Sequence, residues 1–513
     1  MSYRFLKNLN IKEKEVIIMK KTLKRIIAMT LAVAAIGTAA GCSSKKPSGD
    51  ETAKIKWYLP ADNSSNQNVD DIYAEATTMI MENIGVDVEF IAVPFSEYEG
   101  KMQILNAAAE QVDIMFVSNW ANNYYTNISK NVLLPLDDLL AETPELYNTI
   151  PDYLWEGSKV NGKIYAVPNQ QIAAREARFA IPKQNAKLLG INTEEYFNKE
   201  NDFKATLEDC ETYLRQLHSK TNTYAQLEKI WTDGLSLFGM EEVVGSYLPG
   251  AIRYSDGEVK LFNQYESDEF KYYINKRRQW VKDGLVQNEV EDKRALPGLT
   301  DENVLIPALL RVNTYKPGVE IDEYNEHKFY PEWFSKSKGY LTSGGITATM
   351  NGISATCKNP SAALKVLEYV NTDKEIYNLI SFGIEGENYT KVSDNMIKKN
   401  PDMPYYFANW GLGNVFNSYL EEGQAEDTWV ATKEINDNAE RSPLLGFNPN
   451  LDNLKPQVAS CKSVIDEFLE ALDFGIVDVD SVYPQFVNKL KASGADEIIA
   501  EVQKQIDEWQ KIK

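Results

Sequence analysis

Ile55-Lys56-Trp57-Tyr58-Leu59 opens the stretch that decides the fold. Its β-branched and aromatic residues read as a strand, and two runs of the same kind follow at Val86 to Val93 and Val112 to Val117. Between them, Val69 to Asn83 and Tyr98 to Glu110 space apolar residues three and four apart, the period of an amphipathic helix. Strand, helix, strand, helix, strand is the order of a largely parallel sheet, because parallel neighbours need a crossover long enough to hold a helix. The sequence therefore predicts an α/β fold.

Outward from this stretch toward the amino terminus, Ser43 to Thr52 is a polar, flexible tether. Before it come the basic Met19-Lys20-Lys21-Thr22-Leu23-Lys24-Arg25, the apolar Ile26 to Ala40, and Gly41-Cys42-Ser43-Ser44-Lys45-Lys46. The apolar run falls short of the roughly 20 residues that a settled bilayer span takes. A basic head, an apolar run and small residues before a cysteine form an export signal ending in a lipidation site. Cleavage before Cys42 frees its thiol for a diacylglycerol, so one end of the mature chain is expected in a membrane. Ala39 stands where the usual motif has Leu; an uncleaved signal anchor is the alternative. Residues 1–18 read as an extension ahead of Met19-Lys20-Lys21, itself a normal signal start.

Toward the carboxyl terminus the helical period dominates. Phe203 to Ser219 and Phe270 to Asp283 are long amphipathic patterns, and a strand-like Gly345 to Ala355 precedes a helical Ser361 to Asn371. Lys455 to Phe474, Val482 to Ala492 and Asp496 to Lys513 read as helices expected to pack on a lobe and do no chemistry. A mature chain of about 470 residues exceeds the roughly 250 to 300 at which single cores stop growing, so two lobes are expected. The division is 1–18 extension, 19–41 signal, 42–53 lipidated tether, 54–180 first α/β lobe (also receiving later segments), 181–400 mainly a second, helix-rich lobe, and 401–513 a largely helical C-terminal domain.

Composition excludes several functions. Removing residues 1–41 leaves 46 Lys/Arg and 73 Asp/Glu, a formal charge of −27 that repels phosphate backbones and anionic lipid headgroups. No nucleic-acid partner is expected, and attachment to a membrane rests on the lipid. Beyond Cys42, Cys210, Cys357 and Cys461 are too few and too widely spaced for a disulfide framework or a zinc site and read as buried thiols. With His218 and His327 the only histidines, a zinc or serine hydrolase has little to be built from, and no cofactor is expected. Aromatics at 11%, with nine Trp and 28 Tyr, suit carbohydrate or interface surfaces as well as core packing.

Gly157 to Ile164 nearly spells a phosphate-binding loop, but Ile164 stands where a hydroxyl must reach magnesium. The same residues read better as an Asn161-Gly162 turn leading into an apolar strand. Val160-Asn161-Gly162-Lys163-Ile164-Tyr165-Ala166-Val167-Pro168 resembles a signature of the extracellular solute-binding proteins that feed ABC sugar importers. Tyr98-Glu99-Gly100-Lys101-Met102 through Asp113-Ile114-Met115-Phe116-Val117-Ser118-Asn119-Trp120 is similar to a block of their oligosaccharide-type members, with Ala109 where Gly is usual. Asn351-Gly352-Ile353-Ser354-Ala355, Ala363-Leu364-Lys365 and Phe382-Gly383-Ile384-Glu385-Gly386 resemble the same group's second-lobe block. The tail from about Trp410 to Trp509 is similar to a C-terminal domain of unassigned function that accompanies these lipoproteins.

A sugar binder needs an aromatic face for the C–H side of the ring, with amides and carboxylates for its hydroxyls. Trp120 and Asn119 lead the candidates, because ligands of open α/β sheets bind beyond the carboxyl ends of strands. Asn63 and Asn66 follow the first strand in an amide-rich run; Tyr124, Tyr125, Tyr165, Trp410 and Asn414 form a second tier. Core packing or a solvated turn is the competing role for each. Glu385 and Glu387 invite a glycosidase reading, but acid pairs are common by accident in so acidic a chain.

The resemblance implies a two-lobed periplasmic-binding-protein-like fold of type II, with a hinge and a helical C-terminal segment. It also implies a monomer held by its lipid on the outer face of a bacterial membrane, which captures a carbohydrate without converting it and delivers it to permease subunits and, through them, an ATPase. Behind this reading stand a binder of peptide or another solute, a lipid-anchored glycan hydrolase, and a surface adhesin.

Overall fold

The computed structural model describes residues 52–193, 202–231, 234–245, 247–255, 259–289, 301–312 and 314–511. The signal segment and Cys42 lie outside the described residues. No described helix is long and apolar enough to cross a membrane.

The expected strands of the first lobe form at β1 (Lys54–Pro60), β2 (Asp87–Val93) and β3 (Ile114–Val117), followed by β4 (Ala166–Pro168). The sheet order is β2-β1-β3-β12-β4, with β1 parallel to β2 and β3. The strand between β3 and β4, β12 (Met350–Ile353), is antiparallel to both because the chain returns through it from the second lobe. Both faces of the sheet are covered, so β1 is apolar and buried from Trp57 to its end. Trp57 points into a core with α1 (Val69–Ile84), α6 (Pro360–Thr372) and α7 (Lys374–Phe382). Its neighbour Tyr58 points into the other core, with α2 (Phe95–Ala107) and α3 (Tyr124–Ser129).

Three local signals act differently from the sequence reading. The helix expected over Tyr98 to Glu110 starts and ends three residues earlier, because Pro94, fixed at φ −53°, launches it. Beyond its end Ala109 adopts φ +52°, so the turn that usually takes glycine forms with alanine. Only Met350–Ile353 of the strand-like Gly345 to Ala355 is a strand. Thr342 Oγ1 accepts from Gly345 N at 2.9 Å and caps a helical turn over Ser343–Ile346 instead. The Asn161-Gly162 turn forms as read, with φ +51° and +77° and reciprocal backbone bonds of 2.9 and 3.1 Å between Val160 and Lys163.

The second lobe packs α4 (Phe203–Thr221) and α5 (Asp268–Lys282) around a core that includes Leu214, Trp231 and Tyr273. Asp202 caps α4 and Ser267 caps α5, each accepting from a backbone N–H three residues on. On this core lie β6 (Arg178–Pro182), flanked by β9 (Leu310–Val312) and β10 (Pro331–Lys336), and the pair β7 (Met240–Glu242) and β8 (Ala251–Arg253). The tail helices α9 (Lys455–Asp473), α10 (Val479–Ala492) and α11 (Ala495–Gln510) belong to the same core.

A third small sheet marks the crossings between the lobes. β5 (Ala174–Arg175), β11 (Tyr340–Leu341) and β16 (Glu440–Arg441) pair in the order β16-β11-β5. Asn436, on α8 (Thr428–Asn438), ties this sheet to the first lobe, its Oδ1 accepting from the backbone of Ala173 at 2.8 Å and Ala174 at 3.1 Å. A further sheet, β13 (Tyr389–Ser393), β14 (Met396–Lys399) and β15 (Leu420–Glu421), follows α7.

Candidate functional site

The carboxyl ends of β2 and β3 deliver two aromatic residues to the same edge of the first sheet. Phe95 starts α2 directly after Pro94, and Trp120 follows β3 by three residues. The Ser118 hydroxyl accepts from the backbone N–H of Ala121 at 2.7 Å and of Trp120 at 3.2 Å, turning the chain there. Trp410 joins them from the far end of the sequence. The ring centroids lie 6.1 Å apart for Phe95 and Trp120, 5.7 Å for Phe95 and Trp410, and 6.2 Å for Trp120 and Trp410. All three rest on Phe116, which is fully buried in β3.

Trp120 remains 55% exposed and Phe95 36%. Leaving such area in water forgoes about 25 cal/mol per Å², so a contiguous aromatic surface of this kind marks a candidate binding site. The Trp120 indole is nevertheless fixed, because Nε1 donates to the Ala348 carbonyl at 2.8 Å and leaves the ring face open. Trp410 is held from below. Asn169 Nδ2 donates to its carbonyl at 3.1 Å, and Asn351 Nδ2, buried in β12, donates to Asn169 Oδ1 and the Gly411 carbonyl at 3.0 Å each.

Polar groups surround the rings. Asn119 Nδ2 donates to the Gly344 carbonyl at 2.8 Å, and the Arg175 guanidinium reaches that carbonyl at 3.5 Å and Thr314 Oγ1 at 2.8 Å. The site is thus continuous from β3 through the first crossing strand to the second lobe. Tyr125 shares a 3.1 Å hydrogen bond with Thr347, and burial pushes its phenol up to about 12, so it is neutral at pH 7.

The remaining candidates sit elsewhere. Tyr124 is fully buried, donates to the Ser158 carbonyl at 2.8 Å and accepts from Tyr165 N at 3.3 Å, so this pair braces the Asn161-Gly162 turn. Asn414 is buried, its Nδ2 donating to the Asn371 carbonyl and its Oδ1 capping a 3₁₀ turn. Asn66 clamps the backbone of Tyr406 through two bonds of 2.8 Å, and Asn63 bonds Asn66. Glu385 pairs with Lys391 at 3.0 Å and Glu387 accepts from Asn68 at 2.7 Å. Phe95, Asn169 and Arg175 are absent from the sequence reading, and Asn351 enters it only within the second-lobe block, not as a site candidate. The strand-end rule that picked out Trp120 applies equally to Phe95, whereas the two asparagines act through contacts too long in sequence to read.

Parallel strands, a returning antiparallel strand and crossing segments beside an aromatic edge define a two-lobed solute-binding-protein fold. Residues 443–511 match the model of a domain of unknown function, DUF3502. A carbohydrate ABC transporter substrate-binding protein of Streptococcus pneumoniae (serotype 4, strain ATCC BAA-334 / TIGR4) is 26% identical over 502 residues, 95% of this chain and 97% of its own. The crystal structure of the N-glycan transport solute binding protein NgtS from the same species matches with TM-score 0.77 and 24% identity, over 90% of this chain and 99% of that one. Its complex with Man5GlcNAc matches with TM-score 0.66 and 25% identity over the same shares. An extracellular solute-binding protein of Bifidobacterium longum subsp. infantis matches with TM-score 0.56 and 14% identity, over 90% and 99%. The resemblance drawn from the sequence therefore holds, in the fold as in the tail domain.

Proposed function

We propose that this protein is the solute-binding component of an ABC importer and captures a carbohydrate, specifically an oligosaccharide, between its lobes. The aromatic cluster of Phe95, Trp120 and Trp410 at the strand ends carries this reading, and the relatives named above support it. Rings 5.7 to 6.2 Å apart offer apolar surface to more than one sugar unit, while Asn119 and Arg175 line the same edge for hydroxyls. The ligand is captured and released unchanged, and the closed form is read by the permease subunits and their ATPase. Cys42 carries the lipid that holds the monomeric protein at the outer face of the cell membrane, with residues 42–53 as tether. Within the division read from the sequence, 54–180 supplies Phe95 and Trp120 of the aromatic edge, 401–513 supplies Trp410, and 181–400 the opposing lobe.

The test is thermal stability of the soluble form from Ser43 onward against mono- and oligosaccharides, mannose-containing N-glycan fragments included, with product analysis of each mixture. A ligand bound only by the folded state contributes about 2.7 kcal/mol at a hundredfold excess over its Kd. A raised midpoint with intact sugar supports the proposal. Cleaved sugar identifies a hydrolase, and no shift with any saccharide refutes the carbohydrate reading in favour of peptide binding or adhesion.

A further inference from the structure

The tail that carries the DUF3502 match shares its core with the second lobe. Leu469, Leu472, Phe486, Leu490, Val502 and Ile506 are buried in the same apolar cluster as Leu214, Trp231, Phe270 and Trp280 of the second lobe. The Phe486 ring meets Tyr265 edge to face at 5.1 Å.

Polar groups knit the two segments as closely as the apolar ones do. Asp473, fully buried at the end of α9, accepts from the backbone N–H of Ile230 at 2.9 Å and Trp231 at 3.1 Å and from the Tyr273 hydroxyl. Gln503 in α11 accepts from Leu261 N at 2.7 Å and donates to the Val259 carbonyl at 3.2 Å. Gly475 lies so close to α5 that a Cβ there would meet the Arg277 backbone at 2.7 Å. Removing the tail would therefore orphan buried backbone donors of the second lobe as well as expose its apolar side.

The start of the tail is tied to both lobes. Ser442 Oγ, just after the third crossing strand, donates to Glu241 Oε2 of the second lobe at 2.5 Å. Leu444 is then buried in the second-lobe core and Leu445 in the first-lobe core. The Ser343 hydroxyl grips this step, donating to the Leu444 carbonyl and accepting from Gly446 N at 2.9 Å.

We propose that residues 443–511 serve as an integral part of the second lobe's core and as the anchor that fixes the third crossing strand to that lobe, so that lobe and hinge strand move as one body. This holds whatever the cleft binds.

Native-state hydrogen exchange of the soluble full-length form tests it. Leu472→Ala, a cavity substitution in α9, is expected to speed exchange by a common factor, on the order of ten- to a hundredfold, in three places. These are the tail helices, the second-lobe amides of α4, α5, Ile230 and Trp231, and the crossing amides Leu444 and Gly446. A common factor supports the proposal whether or not β1 to β3 follow. Acceleration confined to residues 455–510 overturns it, and unchanged exchange at Leu444 and Gly446 overturns the anchoring role. Should Leu472→Ala fail to fold, Val502→Ala repeats the test. The unsubstituted protein decides it as well, because a tail that opens at lower denaturant than α4 and α5 is an independent domain.

Discussion

Phe95, Trp120 and Trp410 share a surface, and each ring touches the other two and Phe116. Trp120→Ala removes the most exposed face and is expected to weaken saccharide binding about tenfold, or ~1.5 kcal/mol, with the unliganded protein's stability nearly unchanged. Titration calorimetry of Trp120→Ala, Trp410→Ala and the double variant should give non-additive losses, because neighbouring rings couple. Additive losses would mean that the rings bind separate groups. Ala109 supports a prediction of opposite sign. It is exposed and sits at φ +52°, where an L-residue bears about 1 kcal/mol of steric cost that glycine escapes. Ala109→Gly, in most settings a destabilising change, is expected to raise stability by about 0.5 kcal/mol in urea titration; a fall would show that unfolded-state entropy outweighs the strain. Ala109 was legible from sequence because its turn has a local signature. Phe95 was equally legible by its place after a strand but was hidden by the helix it begins; Trp410 was read as a candidate, but its seat beside the other rings depends on Asn351, a partner 60 residues away from Gly411.

At the scale of elements, long pieces with a clear period were readable and short ones were not. β1, α1, α4 and the tail helices fall within a few residues of the sequence reading, the helices because each repeats its apolar period several times and β1 because its β-branched and aromatic residues form one run. The crossing strands β5, β11 and β16 have two residues each, too few for any period, and exist only because the lobes align them. Around them lies a buried acid. Glu241 of β7 accepts from Ser442 and hydrogen-bonds Tyr254, whose ring stacks on Tyr340 of β11 at 3.4 Å, with Arg175 near the same tyrosine and Glu242 near Arg175. Burial raises the Glu241 carboxyl from its ordinary 4.5 to about 7. Between those values the folded state binds more protons than the unfolded chain, so this group's contribution to stability is full below pH 4.5 and is lost as pH rises toward 7 and slightly beyond. The loss is of order 3 kcal/mol. Glu241→Gln keeps an acceptor for Ser442 and is expected to flatten the fall in melting temperature between pH 5 and 8. It should match the parent near pH 4.5 and exceed it at pH 8. Parallel pH profiles for the two proteins would show that Glu241 does not titrate in this window.

For the whole molecule, the aromatic edge is built almost entirely by the first lobe, with Phe95, Trp120 and Trp410 all seated on its cores. A sugar lying only on that edge would keep one face in water. In the proposed mode of capture, closure brings the opposing lobe onto that face, and a ligand can drive it only by binding the closed arrangement more tightly than the open one. The crossings suit such motion, being three short strands that can absorb rotation while the cores of the two lobes stay intact. A compact globule of the 462 residues from Thr52 onward has a radius of gyration of about 23 Å. The unliganded protein is expected to scatter as a larger particle in small-angle X-ray measurements and to shrink toward that value when a bound oligosaccharide saturates it. Trp120→Ala at matched saturation should shrink equally, because it loses affinity on the first lobe but keeps the hinge. Saturation with no change in scattering would mean that the ligand is held on an open edge, and the signal to a permease would then have to come from the bound sugar itself.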